Sequence, residues 1–387
     1  MPHAASVSTD VVHPFAREQW HHGAPDFAAR CLRAAVRDGL MLLLLAGVGE
    51  VGVRTLAPET SRYVFSRTVT GGHPIRLNQD GLRDVAFPRD PPAGQRRILC
   101  VGDSTTFGAG VAAEETYPKQ LQRVLDASGS RWFVINGGAQ GSSIGRALRF
   151  VREQGLGFRP SVVVVGFSPS MISMAGRPAR TADVLGEEGR MSRGARLVRQ
   201  MRADAMEIHV WLHRSYLYVF CDAHLRHRLY ALGIIRDRMD KPDGGMLAYA
   251  FDVPGIAVTD VERTYQEFER GVGELQRLLA GRQIPLVVLG LPSRFRISEL
   301  RVDNERGYDL SRIRIEPLAR VAELCRRQGV PFVDLTPAFS DERRAMLRGE
   351  KAWDDLYIPL DYAHLNVTGH ALAAQALARI AQALPSP

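Results

Sequence analysis

The chain has 387 residues, 45% of them hydrophobic, enough to bury a full core in one large domain with appendages or in two domains. Its net charge of +8 and pI near 9.6 come mostly from arginines scattered along the chain, with no dense basic run interleaved with aromatics. That argues against a nucleic-acid partner and leaves anionic surfaces, such as acidic polysaccharide or membrane headgroups, as the partners the charge favours. Four cysteines, Cys31, Cys100, Cys221 and Cys325, lie far apart without a CxxC pair, so no zinc site, disulfide scaffold or cofactor is expected.

Residues 1–29 lack sustained periodicity and read as a disordered tail. Residues 30–57 read as a membrane-anchor helix. Arg30, Arg33 and Arg37 precede the apolar run from Gly39 to Gly49, Glu50 interrupts it, and Val51-Gly52-Val53 extends it to Arg54. The run falls short of the roughly 20 residues that span a bilayer, but flanking arginines extend its reach by snorkelling. A buried or interfacial helix is the alternative. With the basic flank first, a spanning helix leaves the amino terminus inside and the large domain outside the cytoplasm. No small-residue cleavage site follows, which favours an anchor over a cleaved signal. Residues 58–96, rich in Pro, Gly, Arg and Asp, read as an irregular lead-in.

From residue 97 to 387, strands and helices alternate. Strands are expected at Ile98–Val101, Phe133–Ile135, Val162–Val165, Ile284–Leu289 and Pro331–Asp334. The β-branched run at 162–165 suits a strand buried on both faces. Helices are expected after Thr116, which can cap its first turn, from Ile144, and at about 260–281, 312–328 and 367–383. This βαβ rhythm predicts a flavodoxin-like three-layer α/β/α sandwich with a parallel sheet, its ligand site beyond the carboxyl ends of the strands. The stretch from about 171 to 258 breaks the rhythm and reads as a helical insertion after the third strand. Its aromatics Trp211, Tyr216, Tyr218 and Phe220 read as the insertion's own core, with a substrate platform as the alternative. Cys100 reads as a small buried hydrophobe.

Two segments carry chemistry. Ser104 follows the first strand within Gly102-Asp103-Ser104-Thr105-Thr106-Phe107-Gly108, where glycines allow a tight turn that exposes a side chain. A serine hydroxyl needs a neighbouring base to become a nucleophile. Asp361-Tyr362-Ala363-His364, before the last helix, supplies one: His364 accepts the Ser104 proton and Asp361 orients the imidazole. His370 is a rival base, but its place within the following helix makes it a packed or surface histidine. Donors for a developing oxyanion are the backbone N–H of Ser104 and that of Gly141, in the loop Asn136–Ser142. Gly141-Ser142-Ser143-Ile144-Gly145 fits the G-x-S-x-G elbow, but its serine stands too far from the strand.

These segments together resemble the SGNH hydrolases, also called the GDSL esterases and lipases, over residues 97–383. Gly102-Asp103-Ser104 with Thr106 and Gly108 is similar to that family's first block, Asn136 to Gly141 to its second, and Asp361 with His364 to its last. The resemblance implies hydrolysis of a carboxylic ester through an acyl-enzyme. An O-acetylated cell-envelope glycan or a lipid is the substrate class considered. The family's third block normally supplies an asparagine to the oxyanion. Here Gly166-Phe167-Ser168-Pro169-Ser170-Met171 has none, and Ser170 falls nearest that place. The lead-in also resembles a membrane-tethered subgroup, through Glu50, Arg54 and Asn78-Gln79-Asp80-Gly81-Leu82-Arg83. Transfer of an acyl group to a cell-surface polysaccharide, and an envelope interaction protein with weakened turnover, are the alternatives.

Overall fold

The computed structural model describes residues 24–57, 69–175, 212, 215–231, 258–297, 316–352, 356–358 and 364–383. It divides into two compact units, Met1–Ala57 and Pro58–Pro387. In the first, α1 (Ala24–Leu56) is one helix of 33 residues that begins inside the expected tail. Pro25 sits in its first turn, where no N–H bond is lost, and the alanines that follow are good helix formers. Leucines 42–45 are exposed, with Leu43 at 71%, and the segment Cys31–Leu56 is long and apolar enough to cross a membrane by length and composition. Glu50, the one carboxylate after the run begins, accepts a hydrogen bond from Arg54 one turn on (2.8 Å). That pairing offsets the charge that interrupts the apolar run.

The second unit opens with a small antiparallel ribbon, β1 (Val69–Thr70) with β2 (His73–Pro74). The main sheet is formed by β3 (Arg96–Gly102), β4 (Trp132–Gly138), β5 (Val162–Phe167), β6 (Leu286–Gly290) and β7 (Phe332–Asp334). All neighbours pair in parallel, in the order β4-β3-β5-β6-β7. Counted within this sheet the order is 2-1-3-4-5, the flavodoxin-like arrangement. Between the strands lie α2 (Ser104–Phe107), α3 (Tyr117–Ala127), α4 (Ile144–Glu153), α5 (Pro169–Ala175), α6 (Tyr216–Ala231) and α7 (Val258–Ala280). After β6 come α8 (Arg294–Ile297), α9 (Pro317–Arg327), α10 (Thr336–Leu347) and α11 (Val367–Ala383).

Strand alternation divides the core into two layers. Leu99, Val101, Val163 and Val165 face one side with Ile144, Leu148 and Val151 of α4, Phe268 and Leu275 of α7, and Val321 of α9. Ile98, Cys100, Val162 and Val164 face the other, with Leu121 and Leu125 of α3, Phe339 of α10 and Leu377 of α11. Ile144, Ala147, Leu148 and Val151 recur at the spacing that puts them on one helix face. The structure therefore is the expected three-layer sandwich. Cys100 is fully buried, and desolvation pushes its thiol up to about 12.

Three local expectations change. β4 runs on through Asn136 to Gly138, residues expected in the loop, because Cys100 and Gly102 of β3 continue to pair with them. Thr116 stands at the start of α3 without a side-chain cap, since its hydroxyl donates instead to Ala113 O (2.9 Å). α10 was not anticipated: it buries only Phe339 and Met346, too sparse for an apolar stripe. Of the expected insertion, α6 carries Tyr216, Tyr218 and Phe220 half-buried. Trp211 and the residues 176–210 lie outside the described residues.

Candidate active site

The Ser104 turn sits on a platform of three glycines at the carboxyl ends of adjacent strands. Gly102 of β3 pairs in register with Gly138 of β4 on one side and Gly166 of β5 on the other. A Cβ at Gly102 would stand 2.1 Å from Thr106 Oγ1, one at Gly138 2.3 Å from Phe107 N, and one at Gly166 2.4 Å from Thr106 Oγ1. Only strands bare of side chains there allow α2 to pack down onto the sheet. Asp103 caps α2 by accepting the Thr105 N–H (2.9 Å), and Gly108, at φ 84°, ends it in the left-handed region glycine tolerates. Thr105, Thr106 and Phe107 are buried, while Ser104 is half-buried and accessible.

His364 reaches that serine: its Nε2 lies 2.7 Å from Ser104 Oγ, across 260 positions of sequence. Its backbone is stitched in place. Tyr357 pairs with Leu365 in an isolated bridge, Ile358 N donates to His364 O (2.9 Å), and Asn366 N donates to Leu356 O (3.1 Å). The buried Tyr357 hydroxyl donates to Pro292 O just beyond β6, tying this loop to the sheet end (2.8 Å). Asp361 lies outside the described residues.

Ala139 N donates to Gly102 O and Ser142 N to Ala139 O, so the second loop turns directly beside the strand that leads into Ser104. Gly141 occupies that turn at φ 62°. Among the described residues no hydrogen bond uses the N–H of Ser104 or of Gly141. Ser170 stands in α5, directly after β5 and beside Asp103. Its hydroxyl donates to Asp103 Oδ2, as does that of Ser168, and the two serine oxygens are 2.6 Å apart. The physical reason is the buried Asp103 carboxylate, which draws the nearest hydroxyl protons to satisfy its lone pairs. Ser143 begins α4 as its N-cap residue, four residues of loop beyond β4, and is not the serine paired with His364.

His370 is fully buried and stacks on Tyr117. Its Nδ1 accepts the Tyr117 N–H at the start of α3 (3.1 Å). Desolvation, reinforced by His364 and Arg83, lowers its pKa to about 3, so it is a neutral packing histidine, as its helical position implied. Two polar residues of the lead-in were not anticipated as neighbours of the site. Arg83 is 1% exposed and donates into the Ser104 turn. Asp84 pairs with Lys119 (2.5 Å) and accepts the Asn136 N–H on edge strand β4 (2.7 Å). Their sequence signal was the Asn78–Arg83 stretch, but nothing local says where its side chains end.

Residues 256–387, which contain β6, β7 and the His364 loop, match the family described as "SGNH hydrolase-like domain, acetyltransferase AlgX". Over those residues the chain is similar to an SGNH hydrolase-like domain. Ser104 precedes the matched residues, and its place in the site rests on the geometry above. Among solved structures, the chain is similar to the lipase/acylhydrolase from Enterococcus faecalis, with 14% identity, 76% of this chain and 99% of that one covered, and a TM-score of 0.39. It is also similar to a catalytic mutant of an acetylxylan esterase from Geobacillus stearothermophilus, with 14% identity, 75% and 95% covered, and a TM-score of 0.36. A third similarity is to an acetyl xylan esterase, with 15% identity, 74% and 100% covered, and a TM-score of 0.38. No curated protein sequence matches significantly.

Proposed function

We propose that this protein is a serine esterase of the SGNH type, tethered to a membrane by α1 and cleaving a carboxylic ester outside the cytoplasm. The observation that carries the reading is the 2.7 Å approach of His364 Nε2 to Ser104 Oγ. In the reaction, Ser104 Oγ attacks the ester carbonyl carbon while its proton passes to His364 Nε2. Asp361 accepts the Nδ1–H at the other edge of the imidazole and stabilises the imidazolium. The carbonyl oxygen becomes an oxyanion that accepts hydrogen bonds from the N–H groups of Ser104 and Gly141. Collapse expels the alcohol, which takes the proton from His364, and leaves an acyl group on Ser104. Water, deprotonated by His364, then releases the acid. With the Ser170 hydroxyl held by Asp103, the oxyanion depends on backbone donors; each is worth about 2.7–4 kcal/mol in comparable sites.

The test is fluorophosphonate labelling combined with a short-chain p-nitrophenyl ester assay. Wild type should label at Ser104 and hydrolyse the ester, and Ser104→Ala should do neither. A folded wild type that fails to label would sink the reading in favour of an envelope interaction protein.

A second reading is acyl transfer, favoured by the family description over residues 256–387, which names an acetyltransferase. Chemically it differs only in the last step, where a sugar hydroxyl replaces water. Screening polysaccharide acceptors against the acyl-enzyme divides the two: acylated glycan marks a transferase, free acid alone a hydrolase.

A further inference from the structure

The stretch Asn78–Arg83 folds around one side chain. Asn78 Oδ1 accepts the N–H groups of Asp80 and Leu82 (both 3.0 Å), and Gly81 takes φ 75°. This turn sends Leu82 and Arg83 inward, both buried. Arg83 Nη1 donates to Gly108 O (2.6 Å) and Phe107 O (3.2 Å), and Nη2 donates to Val111 O (2.7 Å). Among the described residues no carboxylate lies within ion-pair distance of it; Glu114 and Glu115 act only at longer range. A guanidinium removed from water without an ion-pair partner is a costly way to hold a loop.

What that loop does is hold Ser104. Gly108 N and Ala109 N both donate to Ser104 O, at 3.0 and 2.9 Å. The planar fork of Arg83 thus fixes the segment 107–111, which in turn fixes the backbone of the serine. The same lead-in grips the loop again at Gly110, whose N–H donates to Thr70 Oγ1 (2.7 Å). We infer that Arg83 is a positioning residue for Ser104, setting the approach of its Oγ to His364 Nε2. The inference rests on Ser104 being the nucleophile. Lysine at 83 keeps the charge but lacks a fork able to meet three carbonyls.

The experiment compares full-length wild type, R83K, R83M and R83A in detergent. It reads kcat and KM on p-nitrophenyl acetate, the rate of fluorophosphonate labelling, and Tm. Small misplacements of reacting groups cost about 100-fold. Folded R83K should therefore lose about that much in kcat and labelling rate, with KM little changed. Added ethylguanidinium should restore part of the labelling rate of R83A. An R83K or R83M protein with wild-type kcat overturns the inference. So does a loss of kcat that only tracks the unfolded fraction, or failure of every variant to fold, since either assigns Arg83 to stability alone. Absence of Ser104 labelling in wild type removes the nucleophile reading and this inference together. Normal wild-type labelling with indifferent Arg83 variants removes this inference only.

Discussion

Asp103, next to Ser104, and His370, in α11, are buried ionisable groups, and each is committed to its surroundings. Asp103 accepts the Thr105 N–H through one oxygen and the Ser168 and Ser170 hydroxyls through the other. Asp103→Asn keeps an acceptor for Thr105 but turns an amide N–H₂ toward two hydroxyl donors. Leaving a buried donor unpaired costs about 1–3 kcal/mol, and urea unfolding of the variant should show a loss of that size. His370 titrates near 3 in the folded protein against 6.5 when unfolded. A lowered histidine pKa means the unfolded chain binds a proton first as pH falls. The contribution is therefore full above pH 6.5 and is lost as pH falls from there toward 3. Between pH 7 and pH 5 this group should remove about 2 kcal/mol of stability. His370→Gln, which still offers an acceptor to Tyr117 N–H, should flatten that dependence; equal pH slopes for the two proteins would refute it. For the proposed nucleophile and base, Ser104→Ala and His364→Ala should each lower kcat by about 10⁴-fold or more with Tm nearly unchanged.

At the scale of elements, the Ser104 turn depends on what three strands lack. Gly138 is the most exacting of the three glycines, because the atoms its Cβ would meet belong to the backbone of α2 and cannot rotate away. Gly138→Ala should displace α2, cost about 1–3 kcal/mol in chemical denaturation, and depress fluorophosphonate labelling. A variant with wild-type labelling would show that the platform yields. The regular elements were readable from periodicity wherever a helix buries a continuous stripe, as Leu318, Val321, Leu324 and Cys325 do in α9. α10 was not, since two buried residues a full two turns apart leave no stripe. Its only local marks are Pro337 in the first turn and Asp334, which accepts the Thr336 N–H (2.8 Å). The Ser104 and His364 segments were legible because a glycine-flanked serine at a strand end and a histidine before a helix are local patterns. Arg83 and Ser170 were not, because an arginine or serine in a loop looks the same whether it faces solvent or a carbonyl.

For the whole molecule, the 2-1-3-4-5 strand order places β3 inside the sheet, so the serine at its end is flanked by strands on both sides. The first unit raises a separate question of partner. α1 exposes Leu40, Leu42, Leu43, Leu44, Leu45 and Val48, more apolar surface than an isolated helix sustains in water. As an anchor, it should keep the full-length protein in the membrane pellet through an alkaline carbonate wash. Release into the supernatant would exclude a spanning helix, and Leu43→Arg should weaken retention if the helix crosses the bilayer. Composition and periodicity by themselves determined the alternating α/β architecture, the apolar amino-terminal helix and the two segments that carry Ser104 and His364. Each of these is written in residues close together in the chain. Only the tertiary structure decided that Ser170 serves Asp103, 67 positions away, and that Arg83 grips carbonyls 24 to 28 positions on. Polar side chains are satisfied by whatever folding brings within 3 Å of them, and that is settled by packing the layers, not by neighbours in sequence.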